Sequence, residues 1–324
     1  MAGPRWEYTH SMRRRVPVPK LPLMCSTLML ACAGPPAAAP ASAPGPTPAV
    51  ADTAGGTSAA ACDATELGEV ALGALGDTPG AVVVIDLQTG DELVAVSNAD
   101  RLDTPTPPAS TVKAFLAHAA LEGGVVTPSE SLPCNGAWTN DGRTLTCFHD
   151  HAQLDLAAAV ATSCNAYFYE AVHRLGTDRV ATTFETFGLT RLSKTLREAP
   201  EAERMAIAVG HGSGLVTPRE LASAFAGLVT SPSEAHEFVH AGMVDAVSAG
   251  HGTARDAATK NIAIAGKTGT AGAGEDNHAW FAGYAPAAAP RVLALAYLQG
   301  DGTGGSLAAP VAAKVLSTWS STCR

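Results

Sequence analysis

Three short groups of residues hold the side chains that nucleophilic acyl chemistry needs. Ser110-Thr111-Val112-Lys113 places a hydroxyl and an amine three positions apart. On a helix those positions share one face, so the amine can reach the hydroxyl. A serine hydroxyl is a weak nucleophile near neutral pH and needs an adjacent base. Lysine serves once burial and neighbouring positive charge have lowered its pKa. Ser163-Cys164-Asn165 follows: its serine can relay a proton between the lysine and a leaving group, and its asparagine amide can hold a substrate backbone. Lys267-Thr268-Gly269-Thr270 ends the apolar run Ile262-Ala263-Ile264-Ala265-Gly266. Lys267 would supply a fixed cation for a substrate carboxylate and help to lower the pKa of Lys113. Gly269 would let the backbone approach a ligand. The N–H of Thr270 could join that of Ser110 in an oxyanion hole. Each group alone is common by chance; the three together, in this order, are not.

These groups must be positioned by the elements around them. Asp63 is a fitting N-cap for a helix over Asp63–Leu75. Ala81–Leu87 reads as a buried strand, with Thr89-Gly90-Asp91 turning into a second strand, Glu92–Ser97. Pro107-Pro108 marks the start of the helix that carries Ser110, and Ala114-Phe115-Leu116-Ala117 buries it. Residues 110–230 read as mostly helical. Strands are expected at Ile262–Lys267, His278–Tyr284 and Arg291–Leu298, and a last helix at Ala308–Trp319. Two strands early, helices in the middle and three strands late imply an α+β fold. Its core would be one antiparallel five-stranded sheet flanked by helices, with an inserted mainly helical subdomain.

The chain has 324 residues and a net charge of −9, with hydrophobic residues at 46%. Arg5, Arg13, Arg14, Arg15 and Lys20 lie near the N-terminus, so the body is more acidic than the whole. An acidic body excludes nucleic acid as a partner, because that needs a basic face. Arg13–Arg15 and Lys20 followed by the short apolar stretch Leu21–Ala31 read as an export signal. Leu30-Ala31-Cys32-Ala33 resembles a lipobox, in which the cysteine is acylated after cleavage. The expected layout is a signal segment over 1–32, an Ala/Pro-rich tether over 33–60 and one catalytic domain over 61–324. The expected place is the cell envelope or periplasm, with the membrane reached through a lipid anchor.

The joint set of Ser110/Lys113, Ser163/Asn165 and Lys267-Thr268-Gly269 is that of penicillin-binding proteins and serine β-lactamases. From about Cys62 to Cys323 the chain resembles the transpeptidase domain of class B, elongation-type penicillin-binding proteins. Ser163-Cys164-Asn165-Ala166-Tyr167-Phe168-Tyr169 is similar to that group at this motif. So are Gly210-His211-Gly212-Ser213-Gly214-Leu215-Val216-Thr217-Pro218 and His278-Ala279-Trp280-Phe281-Ala282-Gly283-Tyr284-Ala285-Pro286. Ala109 stands where glycine is usual before the nucleophile, and Ala152 where glycine is usual in a later segment. The family's long N-terminal pedestal is not recognised, and the 33–60 tether stands in its place. The resemblance implies recognition of D-Ala-D-Ala stem peptides of peptidoglycan, acylation by β-lactams and no cofactor for catalysis. Transpeptidation and carboxypeptidation are both compatible with it. Two alternatives share the motifs. A class A β-lactamase would need Glu-x-x-Asn, which does not occur between Asn165 and Lys267, and a class D enzyme would need Ser-x-Val and Tyr-Gly-Asn. A non-catalytic β-lactam sensor would need a signalling helix.

The cysteines follow from the resemblance. Some members carry a metal beside the nucleophile helix, with one ligand inside Ser-x-Asn. This implies a structural zinc on Cys134, Cys147, His151 and Cys164, three thiolates and an imidazole, with His149 as a rival ligand. The alternative is a Cys134–Cys147 disulfide across a hairpin turning at Asn140-Asp141-Gly142. The fold would also bring its first and last helices together, implying a Cys62–Cys323 disulfide.

Overall fold

In the computed structural model, residues 63–323 are described. The signal and tether expected over 1–60 lie outside them, as does Cys62. Among the described residues no helix is long and apolar enough to cross a membrane.

Asp63 caps helix α1 (Ala64–Leu75) as expected, accepting from the N–H groups of Thr65 and Glu66. Its buried stripe, Leu67, Ala71 and Leu75, repeats every four residues. Strands β1 (Gly80–Asp86) and β2 (Glu92–Ser97) follow as a hairpin. A short 3-10 turn over Ala109–Val112 then runs into α2 (Lys113–Glu122).

The helical stretch expected after residue 110 is interrupted by a second hairpin, β3 (Leu132–Asn140) and β4 (Arg143–Leu154). Asp141 and Gly142, with φ of 48° and 77°, make its two-residue turn, and Asn140 pairs with Arg143. Two positive φ values in succession give the twist that tight hairpins need. Helices resume with α3 (Leu156–Thr162), α4 (Asn165–Leu175), α5 (Thr177–Thr186), α6 (Thr190–Glu198), α7 (Glu201–Ala208), α8 (Pro218–Val229) and α9 (Glu234–Ser248). The chain closes with β5 (Ala265–Ala271), β6 (His278–Ala285), β7 (Val292–Gln299) and α10 (Ala309–Thr322).

The five main strands form one antiparallel sheet in the order β2-β1-β7-β6-β5. Strand β1 pairs with β7, which joins the early hairpin to the late strands. Alternation explains why these strands read as unbroken apolar runs. Leu293, Leu295 and Tyr297 of β7 enter the core shared with α2 and α8, whereas Val292, Ala294, Ala296 and Leu298 enter the core under α1 and α10. Both faces are covered, so both sets are apolar. The fold is α+β, with a five-stranded antiparallel sheet and a helical insertion.

Strand β5 differs from its expected bounds of Ile262–Lys267. Ile262 and Ile264 are buried against the α1/α10 side in the approach to the strand. Pairing with β6 instead runs on through the Lys-Thr-Gly-Thr segment, with Lys267 opposite Ala282 and Thr270 opposite Ala279. The apolar run reported burial, and the strand itself lies where the motif does. Helix α1 packs on α10. Cys323 is disulfide-bonded, and its expected partner Cys62 lies outside the described residues.

Candidate active site

The nucleophile turn is built from unusual backbone. Trp280 Nε1 donates to Pro107 O at 2.9 Å, and Thr111 Oγ1 to Pro108 O at 2.6 Å. Between them Ala109 sits at φ 52°, in the left-handed region, and is fully buried. Gly210, at φ 92°, lies against it: a Cβ there would come within 1.8 Å of Ala109 O. Ser110 emerges from this turn at the floor of a cleft of about 670 Å³.

Lys113 begins α2, one turn after Ser110, and is fully buried. Its Nζ donates to Ser163 O at 2.8 Å, lies 3.5 Å from Ser163 Oγ and bonds Asn165 Oδ1. Burial pulls its pKa down to about 8, against the opposing pull of the nearby Cys164 and Cys147 sulfurs. A lysine of that kind can hold and release a proton near neutrality. Ser163 closes α3 in the left-handed region, with φ 57° and ψ 38°, and that turn aims both its carbonyl and its hydroxyl at Lys113. Asn165 opens α4 and is buried.

Strand β5 forms the facing wall. Gly269 approaches the nucleophile turn so closely that a Cβ would lie 2.8 Å from Thr111 Cγ2 and 2.9 Å from Pro108 O. Glycine is therefore needed there for contact with the protein itself. Lys267 is fully buried and donates to Thr268 O at 3.1 Å. Burial first, and then the Lys113 charge, hold its pKa well below the ordinary lysine value. Thr268, Gly269 and Thr270 line the cleft with Ser110 and Ser163; Lys113, Asn165 and Lys267 lie behind its wall. The structure thus brings all three sequence groups together.

The hairpin β3–β4 roofs the same cleft. Trp138 Nε1 donates to Glu170 Oε2 at 2.8 Å, which ties the hairpin to α4; Arg174 holds Glu170 and Glu130 in turn. Cys134, Cys147, His151 and Cys164 converge beneath it, their donor atoms all within 4.8 Å of one another. Cys134 Sγ is 3.3 Å and Cys147 Sγ 3.8 Å from His151 Nδ1, and Cys147 Sγ is 3.8 Å from Cys164 Sγ. All three thiols are free, so the alternative Cys134–Cys147 disulfide is not formed. The contact between Cys147 and Cys164 lowers the Cys147 pKa and raises that of Cys164. Four donors about a tetrahedral ion with bonds of about 2.0–2.3 Å would stand about 3.3–3.8 Å apart; the three distances above match that spacing, and the remaining pairs lie within 4.8 Å. His149 is outside the set; its backbone carbonyl accepts from Cys134 Sγ at 3.4 Å.

Several cleft residues were not singled out from the sequence as site residues: His211, Phe148, Thr253 and Arg255. Burial, and then the Lys113 charge, lower the His211 pKa. Phe148 is 78% exposed, a large apolar side chain held open at the cleft mouth. Its place next to Cys147 was the one signal the sequence offered.

A sequence model of the penicillin binding protein transpeptidase domain matches residues 80–317. The chain belongs to this family. Peptidoglycan D,D-transpeptidase MrdA of Haemophilus influenzae is 30% identical over 284 residues, covering 65% of this chain and 44% of the relative. PbpA of Mycolicibacterium smegmatis, another peptidoglycan D,D-transpeptidase, is 28% identical over 262 residues, covering 63% and 53%. The chain spans about half the length of these relatives. Among solved structures, Pseudomonas aeruginosa PBP2 in complex with WCK 5153 superposes with a TM-score of 0.72 at 26% identity, over 79% of this chain and 77% of that one. The D,D-transpeptidase domain of a peptidoglycan glycosyltransferase from Eggerthella lenta gives 0.69 at 22%, over 78% and 80%, and shows the shared fold. The penicillin-binding fold accounts for the strand order, the helical insertion and the place of the cleft between them.

Proposed function

We propose that the chain is a serine D,D-acyltransferase of the penicillin-binding type, acting on D-Ala-D-Ala stem peptides of peptidoglycan and acylated by β-lactams. The supporting observation is the convergence on Lys113. Its Nζ touches Ser163 and Asn165, and its helix presents Ser110 to the cleft one turn earlier. In this reading Ser110 Oγ attacks the scissile carbonyl while Lys113 takes its proton. The N–H groups of Ser110 and Thr270 receive the developing oxyanion. Ser163 returns the proton to the departing amine, leaving an acyl-enzyme on Ser110. An amine acceptor then gives transpeptidation, and water gives carboxypeptidation. Intact-mass analysis after incubation with labelled penicillin should show one adduct, absent in Ser110→Ala. An adduct that survives Ser110→Ala, or none with any β-lactam, would sink the assignment.

The same reading assigns a structural zinc to Cys134, Cys147, His151 and Cys164. The three thiolates and the imidazole suit that ion, and it would pin the hairpin to the segment bearing Ser163 and Asn165. Zinc supplies no step of the acyl transfer here. Protein purified without added metal should carry one zinc per chain, lost in Cys164→Ser together with thermal stability. Metal-free protein of unchanged melting temperature would end the idea. The export signal and lipid anchor read over 1–32 support a site of action in the cell envelope. Mass spectrometry of the purified native N-terminus would detect a lipidated Cys32 or exclude it.

A further inference from the structure

Among the described residues that line the cleft, one is an arginine and none is a lysine. We infer that Arg255 is the cation that meets the ligand carboxylate and so sets the preference for acidic ligands. This rests on the cleft being the acylation site proposed above.

The lysines behind the cleft are already engaged. Lys113 holds Ser163 and Asn165, and Lys267 bonds Thr268 O; both are fully buried and neither lines the cleft. The hydroxyls on that wall are constrained as well. Thr253 Oγ1 lies 3.2 Å from Ala161 O, which can only accept, so the Thr253 hydroxyl donates there. Thr268 Oγ1, 2.8 Å from Thr253 Oγ1, must then be the donor between the two. Its hydrogen is used, and toward a ligand Thr268 can only accept. Thr270 Oγ1 accepts from Gly304 N at 2.9 Å and keeps its hydrogen. A carboxylate on this wall is therefore offered the Thr270 hydroxyl and needs a second donor.

Arg255 is that donor. It lies two residues past Thr253, is exposed to the cleft, and its guanidinium makes no hydrogen bond or ion pair with the described residues. The loop that carries it is clamped. Thr253 bonds both Ala161 and Thr268; Ala254 and Ala257 are fully buried; a Cβ on Gly252 would lie 2.3 Å from Ala246 O. A charged fork presented from a fixed loop is a ready partner for a carboxylate. Asp256 also lines the cleft and its carboxylate makes no ion pair with the described residues. Its charge opposes an anion, so the two neighbours should act with opposite sign.

The test compares acylation rate constants for benzylpenicillin and its carboxylate methyl ester, read by intact mass. In Arg255→Ala the acid-to-ester ratio should fall about tenfold, the scale of one charge-assisted hydrogen bond at a partly exposed site. Arg255→Lys should recover part of it, and Asp256→Asn should raise the ratio about twofold to threefold. Added salt should shrink the wild-type ratio and leave that of Arg255→Ala flat. An unchanged ratio in Arg255→Ala, or acid and ester constants falling together, overturns the inference. If wild-type protein is acylated by neither compound, the acylation reading itself has failed, and this inference with it.

Discussion

Replacing Ala152 by glycine should make the domain more stable, against the usual rule that glycine weakens a strand. Ala152 lies in β4 opposite Cys134, at φ 58°, and its side chain is exposed. A left-handed conformation costs a residue with a Cβ about 1–2 kcal/mol. Glycine removes that strain but gives the unfolded chain more freedom, at about 0.4–1 kcal/mol. The methyl packs on little, so its loss changes little. The net expectation is a gain of about 0.5–1 kcal/mol, or about 1–4 °C in melting temperature for a domain of this size. Ala109, at φ 52°, is the internal control. It carries the same strain but is fully buried, and deleting its methyl forfeits about 0.8 kcal/mol of burial. Ala109→Gly should therefore be close to neutral. The assay is urea denaturation of both variants at matched metal content. A loss of about 1 kcal/mol in Ala152→Gly, as at an ordinary strand position, would refute the strain argument.

Gly210→Ala should act at the nucleophile. Its Cβ would overlap Ala109 O at 1.8 Å and push the backbone that carries Ser110; a displacement of about 1 Å costs about 100-fold in rate, read as slower penicillin acylation. Lys113→Ala should lower acylation by about 10²–10⁴-fold, with unchanged kinetics excluding it as the base. Stability should fall as the pH drops from about 6.5 towards 4. Burial, and then the charges of His240 and His118, depress the His236 pKa to about 4, so the unfolded chain binds the proton first, and the stability is complete only above the unfolded value. Denaturation midpoints across that window check it, and His236→Gln should flatten the slope.

The residues of the candidate site were legible in the sequence because the proposed chemistry allows few substitutes. A serine, its lysine, a relay serine with an amide and a strand-borne Lys-Thr-Gly keep their types and order, so Ser110, Lys113, Ser163, Asn165 and Lys267 could be named. Apolar runs located β1, β6 and β7 to within a residue or two because both faces of these strands are buried, and the turn at Thr89-Gly90-Asp91 located the more exposed edge strand β2. Ile262 misplaced β5, since burial in an extended approach reads the same as burial in a ladder. The hairpin β3–β4 was hidden in the expected helical stretch for the opposite reason. Much of it is exposed, so its composition carries no strong alternation; Asn140-Asp141-Gly142 was its one clear mark.

Part of the site is not carried by residue type at all. Arg255 and Thr253 contribute through hydrogen-bond direction: Ala161 O takes the Thr253 proton, Thr253 takes that of Thr268, and an unpaired guanidinium is left facing the cleft. No residue type encodes that sequence of donors. It exists because the end of α3, the loop after α9 and β5 meet at one point. Cys164 sits on the same junction, between the serine and the asparagine that hold Lys113, with Cys147 supplying a sulfur to Asn165 N at 3.2 Å. The thiol cluster and the lysine are thus held by a single three-residue turn. A perturbation of the cluster should be read at Lys113 before it is read in the sheet.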